Sequence, residues 1–242
     1  TGRINEIKVI KGGSGYIDGS TNIIITAPGL TAQVEAQIHP WQINLFERNL
    51  INIGSDDGII EENADHTSLQ YGHLYAPRPL REATYAISGE AEDNTLYGTP
   101  DLVRDAESGV EVSSVNHSPI LGWAHDGHPI YGPYAFTNND GSGSIVEMKS
   151  GYELKPNETN RPPLSLYPAG FFTEDYQFIG NGDLDKHNGR FAITPDYPKG
   201  IYAYHATIKS QNDATGPFEG FRRPAFPYFI GATYKSKPNP FN

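Results

Sequence analysis

No stretch of this chain keeps a helical period for more than about ten residues. From position 113 onward short apolar runs recur instead, about every 10 to 15 residues, separated by Gly, Pro, Asn or Asp. The runs include "ILGWAHDGHPIYGPYAF", "SIVEMKSGYEL", "GRFAITP", "GIYAYHATI" and "FPYFIGATY". With 26 Gly and 19 Pro among 242 residues, nearly one position in five interrupts regular backbone, which favours short strands and many turns. Only 37% of residues are hydrophobic, but 15 Tyr and 11 Phe make up the shortfall, because each aromatic ring buries a large area. The reading is a mainly β chain. It has a small N-terminal β module and a larger β-sandwich or barrel-like domain, with long loops and little helix.

The segments divide by pattern. Residues 1–40 hold three strand-like stretches, "INEIKVI", "TNIIITAPG" and "TAQVEAQI". The last alternates strictly, with Ala32, Val34, Ala36 and Ile38 on one face. Three strands are a minimal β unit that needs a neighbour for stability. Residues 41–112 form a connecting region rich in aromatics and proline, expected to pack on the main domain. Within it "PLREATYAI" is the best candidate for a helical turn. Residues 113–236 form the main domain, and 237–242 a linker tail; "KSKPNPFN" as a whole reads as a linker. The chain opens at Thr1 and its one methionine is Met148, so it is read as a processed piece of a longer polypeptide.

Charge and composition narrow the function. The net charge of -11 disfavours nucleic acid as a partner, since phosphate contacts need clustered Lys and Arg. The absence of cysteine removes disulfides, thiolate metal ligands and Cys nucleophiles together. No apolar run approaches the roughly 20 residues of a membrane helix.

Three motifs could carry chemistry. In "HDGHPIYG", His125, Asp126 and His128 would suit a divalent Zn, Cu or Fe ion if a turn let them converge. The competing reading is an Asp126-Gly127 hairpin stiffened by Pro129 and Pro133, with Tyr131 and Tyr134 packed. In "GDLDKHNGR", Asp183, Asp185 and His187 alternate and would share a face if the segment were extended. Asn188-Gly189 argues instead for a turn. In "GIYAYHATI", Tyr202 and Tyr204 share one strand face, and Ala203 and His205 the other. A single His beside apolar strand residues is ordinarily a hydrogen-bonded core residue. Asn138, Asp140, Ser142 and Ser144 place oxygens at alternate positions, as calcium would need, but no closing Glu follows. Gly12-Gly13-Ser14-Gly15 lacks the Lys-Ser/Thr and helix of a phosphate loop.

These residues together resemble the YHYH domain over roughly residues 113 to 234. Asp126, Gly127, Pro129, Ile130, Tyr131 and Gly132 match its D-G-x-P-I-Y-G segment. Leu184, Asp185, Asn188, Gly189 and Arg190 match an L-D-x-x-N-G-R/H segment. Tyr202, Tyr204 and His205 match the naming Tyr-His-Tyr-His stretch, whose first His is Ala203 here. "GGSGY", "HLYAPRPLRE" and "PAGFFTEDYQF" add a resemblance to large virion proteins of marine tailed phages, especially those of cyanobacteria. That resemblance implies a tail, baseplate or fibre component of the virion, whose partners are other virion proteins or a host-surface glycan.

The leading expectation is therefore a non-enzymatic virion module, structural or host-surface-binding. The alternative is a metal-binding domain or metal-dependent hydrolase of the YHYH family. It would use some of His125, Asp126, His128, Asp185, His187 and His205 with a divalent metal ion. A third reading is an assembly adaptor whose β module pairs edge to edge with neighbours; a homo-oligomer is among the expected partners.

Overall fold

The computed structural model describes residues 41–44, 46, 57–62, 69–73, 75–82, 100–156, 161–216 and 218–238. The chain divides into two compact units, Thr1–Gln42 and Ile43–Asn242. The expected three-strand module of residues 1–40 lies outside the described residues, as does most of the segment that follows Arg81-Glu82.

Among the described residues there are fourteen short strands. In chain order they are β1 (Ile59–Glu62), β2 (Leu69–Gly72), β3 (Val103–Arg104), β4 (Glu111–Val112), β5 (Ile120–Trp123), β6 (Pro129–Tyr131) and β7 (Tyr134–Phe136). They continue as β8 (Ile145–Glu147), β9 (Tyr152–Leu154), β10 (Tyr176–Phe178), β11 (Gly189–Ala192), β12 (Ile201–His205), β13 (Ile208–Asn212) and β14 (Arg222–Pro224). Two 3-10 turns, Arg78–Leu80 and Thr173–Asp175, accompany them; the first begins the segment expected to hold a helical turn. The chain is thus mainly β. The strands do not form a closed barrel: five two-stranded sheets surround one four-stranded sheet ordered β11-β12-β6-β5. The Gly and Pro density explains the small sheets, because few runs are long enough to carry more than one pairing.

The four-stranded sheet organises the domain. β5 and β6 are antiparallel neighbours, β11 and β12 likewise, and β12 meets β6 in parallel. Two turns of one hydrogen-bond pattern lead into its strands: one closes the β5–β6 hairpin and the other precedes β11. In residues 124–128 the Gly127 amide donates to the Ala124 carbonyl at 2.8 Å and the Ala124 amide to the His128 carbonyl at 2.9 Å. In residues 185–189 the Asn188 amide donates to Asp185 at 2.9 Å and the Asp185 amide to Gly189 at 2.8 Å. Each is a three-residue loop whose last position must turn left-handed. Gly127 takes φ +84° there and Asn188 takes φ +65°; Asn is among the few side chains that tolerate this region.

The interior is a set of small clusters, two of them aromatic. Phe46, Tyr75 and Phe218 form one, with Tyr228 against it. Ala124, Tyr202 and Tyr204 form a second, flanked by Ile130, Ile230 and Tyr234. Ala135, Met148 and Leu184 form a third. A buried ionic network ties the early segment to the rest. Arg81 reaches Asp101 at 2.9 Å and Glu111 at 3.0 Å. The Ser118 hydroxyl donates to Asp101, and the Tyr134 amide to Ser118 Oγ at 2.7 Å. Gly132 sits against this network: a Cβ there would lie 2.8 Å from both Asp101 Oδ2 and Ser118 Cβ.

Candidate functional site

Strand alternation sends the side chains of β12 to two sides of the four-stranded sheet, and the two sides differ in character. Tyr202 and Tyr204 share one face, where the 124–128 and 185–189 loops meet them. Tyr204 Oη donates to Asp126 Oδ2 at 2.6 Å, and Tyr202 Oη donates to Asp185 Oδ1 at 2.8 Å. The loops pre-position both carboxylates. Asp126 accepts the His128 amide at 3.4 Å and Asp185 the His187 amide at 2.9 Å. Such side-chain-to-backbone turns are the ordinary use of Asp two residues before a bend. Burial, then the neighbouring carboxylates, push both phenols well above their usual range, so each remains an O–H donor. Burial alone would raise the Asp126 carboxyl. The Tyr204 hydroxyl and the Ser236 and His128 amides outweigh it and hold the group below the usual carboxylate range.

Residues 231–236 run across this face. The Lys235 amide donates to Tyr204 Oη at 2.7 Å and the Ser236 amide to Asp126 Oδ2 at 3.0 Å. Ser236 Oγ lies 3.2 Å from His128 Nε2, and His187 Nδ1 lies 2.8 Å from the Thr233 carbonyl. The Lys235 ammonium stands 3.6 Å from Asp185 and over the Tyr202 ring at 4.8 Å. Sequence reading missed these contacts. "KSKPNPFN" looks like a linker because it is polar and proline-rich, yet its first two residues bind through backbone amides, which composition does not register.

The other face is closed. His205 is 1% exposed, stacks on Tyr131 at 5.9 Å between centroids, and its Nδ1–H donates to the Gly132 carbonyl at 3.2 Å. Burial, then the charge of Arg190, lowers its pKa to about 3, so the ring is neutral. His117, also buried, lies 6.4 Å away. Tyr131 Oη meets Asp196 at 2.8 Å and Thr194 at 2.9 Å. Asn188 Nδ2 donates to the carbonyls of His205 and Phe229, and Arg190 Nη2 to that of Phe136 at 2.5 Å. Ala203, at the position of the missing histidine, is buried opposite Arg190 in β11.

Asp126, His128, Asp185 and His187 surround the tyrosine face, while His205 is on the opposite side of the sheet. His125 is exposed, with its ring edge toward Tyr234. Among the described residues no three His, Asp or Glu are grouped so as to hold a metal ion. Asp183, Asp185 and His187 do not form a row, because the chain turns there: Asp183 accepts the Lys149 amide, Asp185 the Tyr202 hydroxyl and His187 faces Thr233. In the 138–144 loop, Asp140 Oδ1 already accepts the Ser142 amide at 3.0 Å and hydroxyl at 2.6 Å, and Asn138 donates to Ser142 Oγ.

Three motifs distant in sequence therefore meet on one sheet through Asp126, Asp185, Tyr202 and Tyr204. The sequence profile of the YHYH protein family matches residues 25–214. The chain belongs to the YHYH family. The match starts well before residue 113, where the resemblance first becomes legible, so the family covers the connecting region as well. It ends before residues 231–236, which cross the YHYH tyrosines from outside it. No curated protein and no solved structure matches the chain.

Proposed function

We propose that this YHYH chain is a non-enzymatic module of a virion, in the tail or its fibres, with a structural or host-surface-binding role. The observation that carries this reading is how the motif side chains are engaged. Asp126 and Asp185 each hold a neutral phenol, His205 is buried and neutral, and residues 231–236 lie over the remaining face. A general acid or base must reach the proton that it moves, and these groups face one another. The virion context is supported by the resemblance of "GGSGY", "HLYAPRPLRE" and "PAGFFTEDYQF" to tailed-phage sequences.

A glycan is the ligand chemistry that the surface favours. A cleft of about 350 Å³ is lined by Ser113, Glu147, Lys149, Ser210 and Arg222, over buried Tyr134. Arg222 Nη1 pairs with Glu147 at 2.5 Å and Nη2 donates to Ser113 Oγ at 3.1 Å, so these groups fix one another, and a sugar hydroxyl would use the acceptor capacity their oxygens keep. Trp123 and Phe191 stand out at 57% and 61% exposure as stacking surfaces. A glycan array with whole-cell binding tests the reading. Binding to a subset of surface glycans, weakened by Glu147→Gln or Trp123→Ala, is expected; no glycan and no cell bound would overturn the host-surface role.

A further inference from the structure

Among the described residues there are seven arginines; six pair with a carboxylate and Arg190 pairs with none. Arg190 is nevertheless only 9% exposed. Its Nη2 donates to the Phe136 carbonyl, and its Nε is buried with no partner. Its Nη1 makes no hydrogen bond and is not sealed from water. Asp183 is the carboxylate whose charge reaches Arg190, but it accepts the Lys149 amide instead. Burial lowers the arginine's pKa, and Asp183 offsets only part of that. Buried charges are ordinarily paired, because an unpaired one loses its hydration without a replacement.

The sheet sets where this charge stands. β11 is an outer strand of the four-stranded sheet, so Arg190 lies at the margin of the closed face. Phe136, whose carbonyl it holds, packs on His117 at 5.3 Å, and His117 lies 6.4 Å from His205. Both rings are buried, and the Arg190 charge adds to burial in lowering their pKa. Asp196, near His117, already accepts the Tyr131 hydroxyl. Arg190, Tyr131 and His205 come from three separate family motifs, so this corner gathers motif side chains just as the tyrosine face does.

We propose that Arg190 anchors a binding site for a small oxyanion, phosphate or sulfate, at the outer margin of the four-stranded sheet, entered at the open Nη1. A guanidinium matches such anions because its planar donors meet oxygens directly. The fold already holds Nη2 on Phe136, so the donor plane is fixed before an anion arrives. A charge-assisted bond at a half-desolvated margin is stronger than the same bond in open water. The chain as a whole carries a net charge of -11 and repels anions. A local cation without a counter-charge is what would hold one against that background.

Thermal unfolding of the full chain tests this, with sodium phosphate and then sodium sulfate replacing sodium chloride at constant ionic strength. The imidazole resonances of His117 and His205 are followed by NMR in the same series. The unmodified chain is expected to show a saturable rise in Tm with either oxyanion over chloride, and the His117 resonance to move along the same curve. Arg190→Met should lose both responses. Arg190→Lys keeps the charge without the planar donors, and should bind about tenfold more weakly; it carries the test if the Met variant does not fold. No rise over chloride in the unmodified chain would overturn the proposal. So would a full response in Arg190→Met, which would put the ion elsewhere, as at Lys149 and Arg222 in the cleft. A His117 resonance that stays still while Tm rises would overturn it too.

Discussion

Lowering the pH from 6.5 to 4.5 should weaken this fold through one buried imidazole. His205 is 1% exposed and its folded pKa is about 3, against about 6.5 for an unfolded histidine. Above pH 6.5 both states are neutral there and the residue adds no pH dependence. Between 6.5 and 3 the unfolded chain takes up a proton that the folded chain refuses, so stability falls as pH falls. The slope grows from half its full value at pH 6.5 towards about 1.4 kcal/mol per pH unit, so the two units amount to about 2 kcal/mol. Most carboxylates titrate below this window; burial raises that of Asp101, so the comparison with a variant is what assigns the slope to His205. His117 shifts in the same direction, also chiefly through burial, and adds to the slope. Urea unfolding at half-unit intervals from pH 7 to 4.5 measures it. The informative comparison is His205→Asn, whose side-chain N–H can still reach the Gly132 carbonyl but which does not titrate. The variant should be less stable at pH 7, through lost packing, yet its slope should be shallower by about 1.4 kcal/mol per pH unit. Equal slopes in the two proteins would refute the argument.

Other consequences follow from the same geometry. Gly132→Ala should cost about 1–3 kcal/mol by thermal or urea unfolding, because its Cβ meets Asp101 and Ser118 inside a packed network. Gly127→Ala, with open space around it but φ at +84°, should cost only about 1 kcal/mol. Arg81→Met should destabilise by about 3–5 kcal/mol, since it strands Asp101 and Glu111 as buried charges. Adding Asp101→Asn and Glu111→Gln to it should restore much of that loss.

What could be read in advance follows physical range. The two tight loops were legible because Asp-Gly and Asn-Gly constrain their own backbone. The split of Tyr202 and Tyr204 from Ala203 and His205 follows from strand alternation alone. The shared-face row of Asp183, Asp185 and His187 failed, because it assumed extended chain where the Asn188 turn bends it. The pairing of Asp126 with Tyr204 spans 78 positions, and that of Arg81 with Glu111 spans 30. No local pattern announces either, since each depends on sheet order that is set by tertiary packing. Lys235 and Ser236 escaped notice for a different reason: amides bind alike under any side chain.

The central claim is that the YHYH aspartates and tyrosines are partners of one another within the fold. A double-mutant cycle on Asp126→Ala and Tyr204→Phe, read by urea unfolding at pH 7, tests it most directly. A coupling of about 1–2 kcal/mol is expected for a partly buried hydrogen bond to a carboxylate. Additive effects, with coupling near zero, would contradict the account and return Asp126 to the list of groups free to act on a substrate.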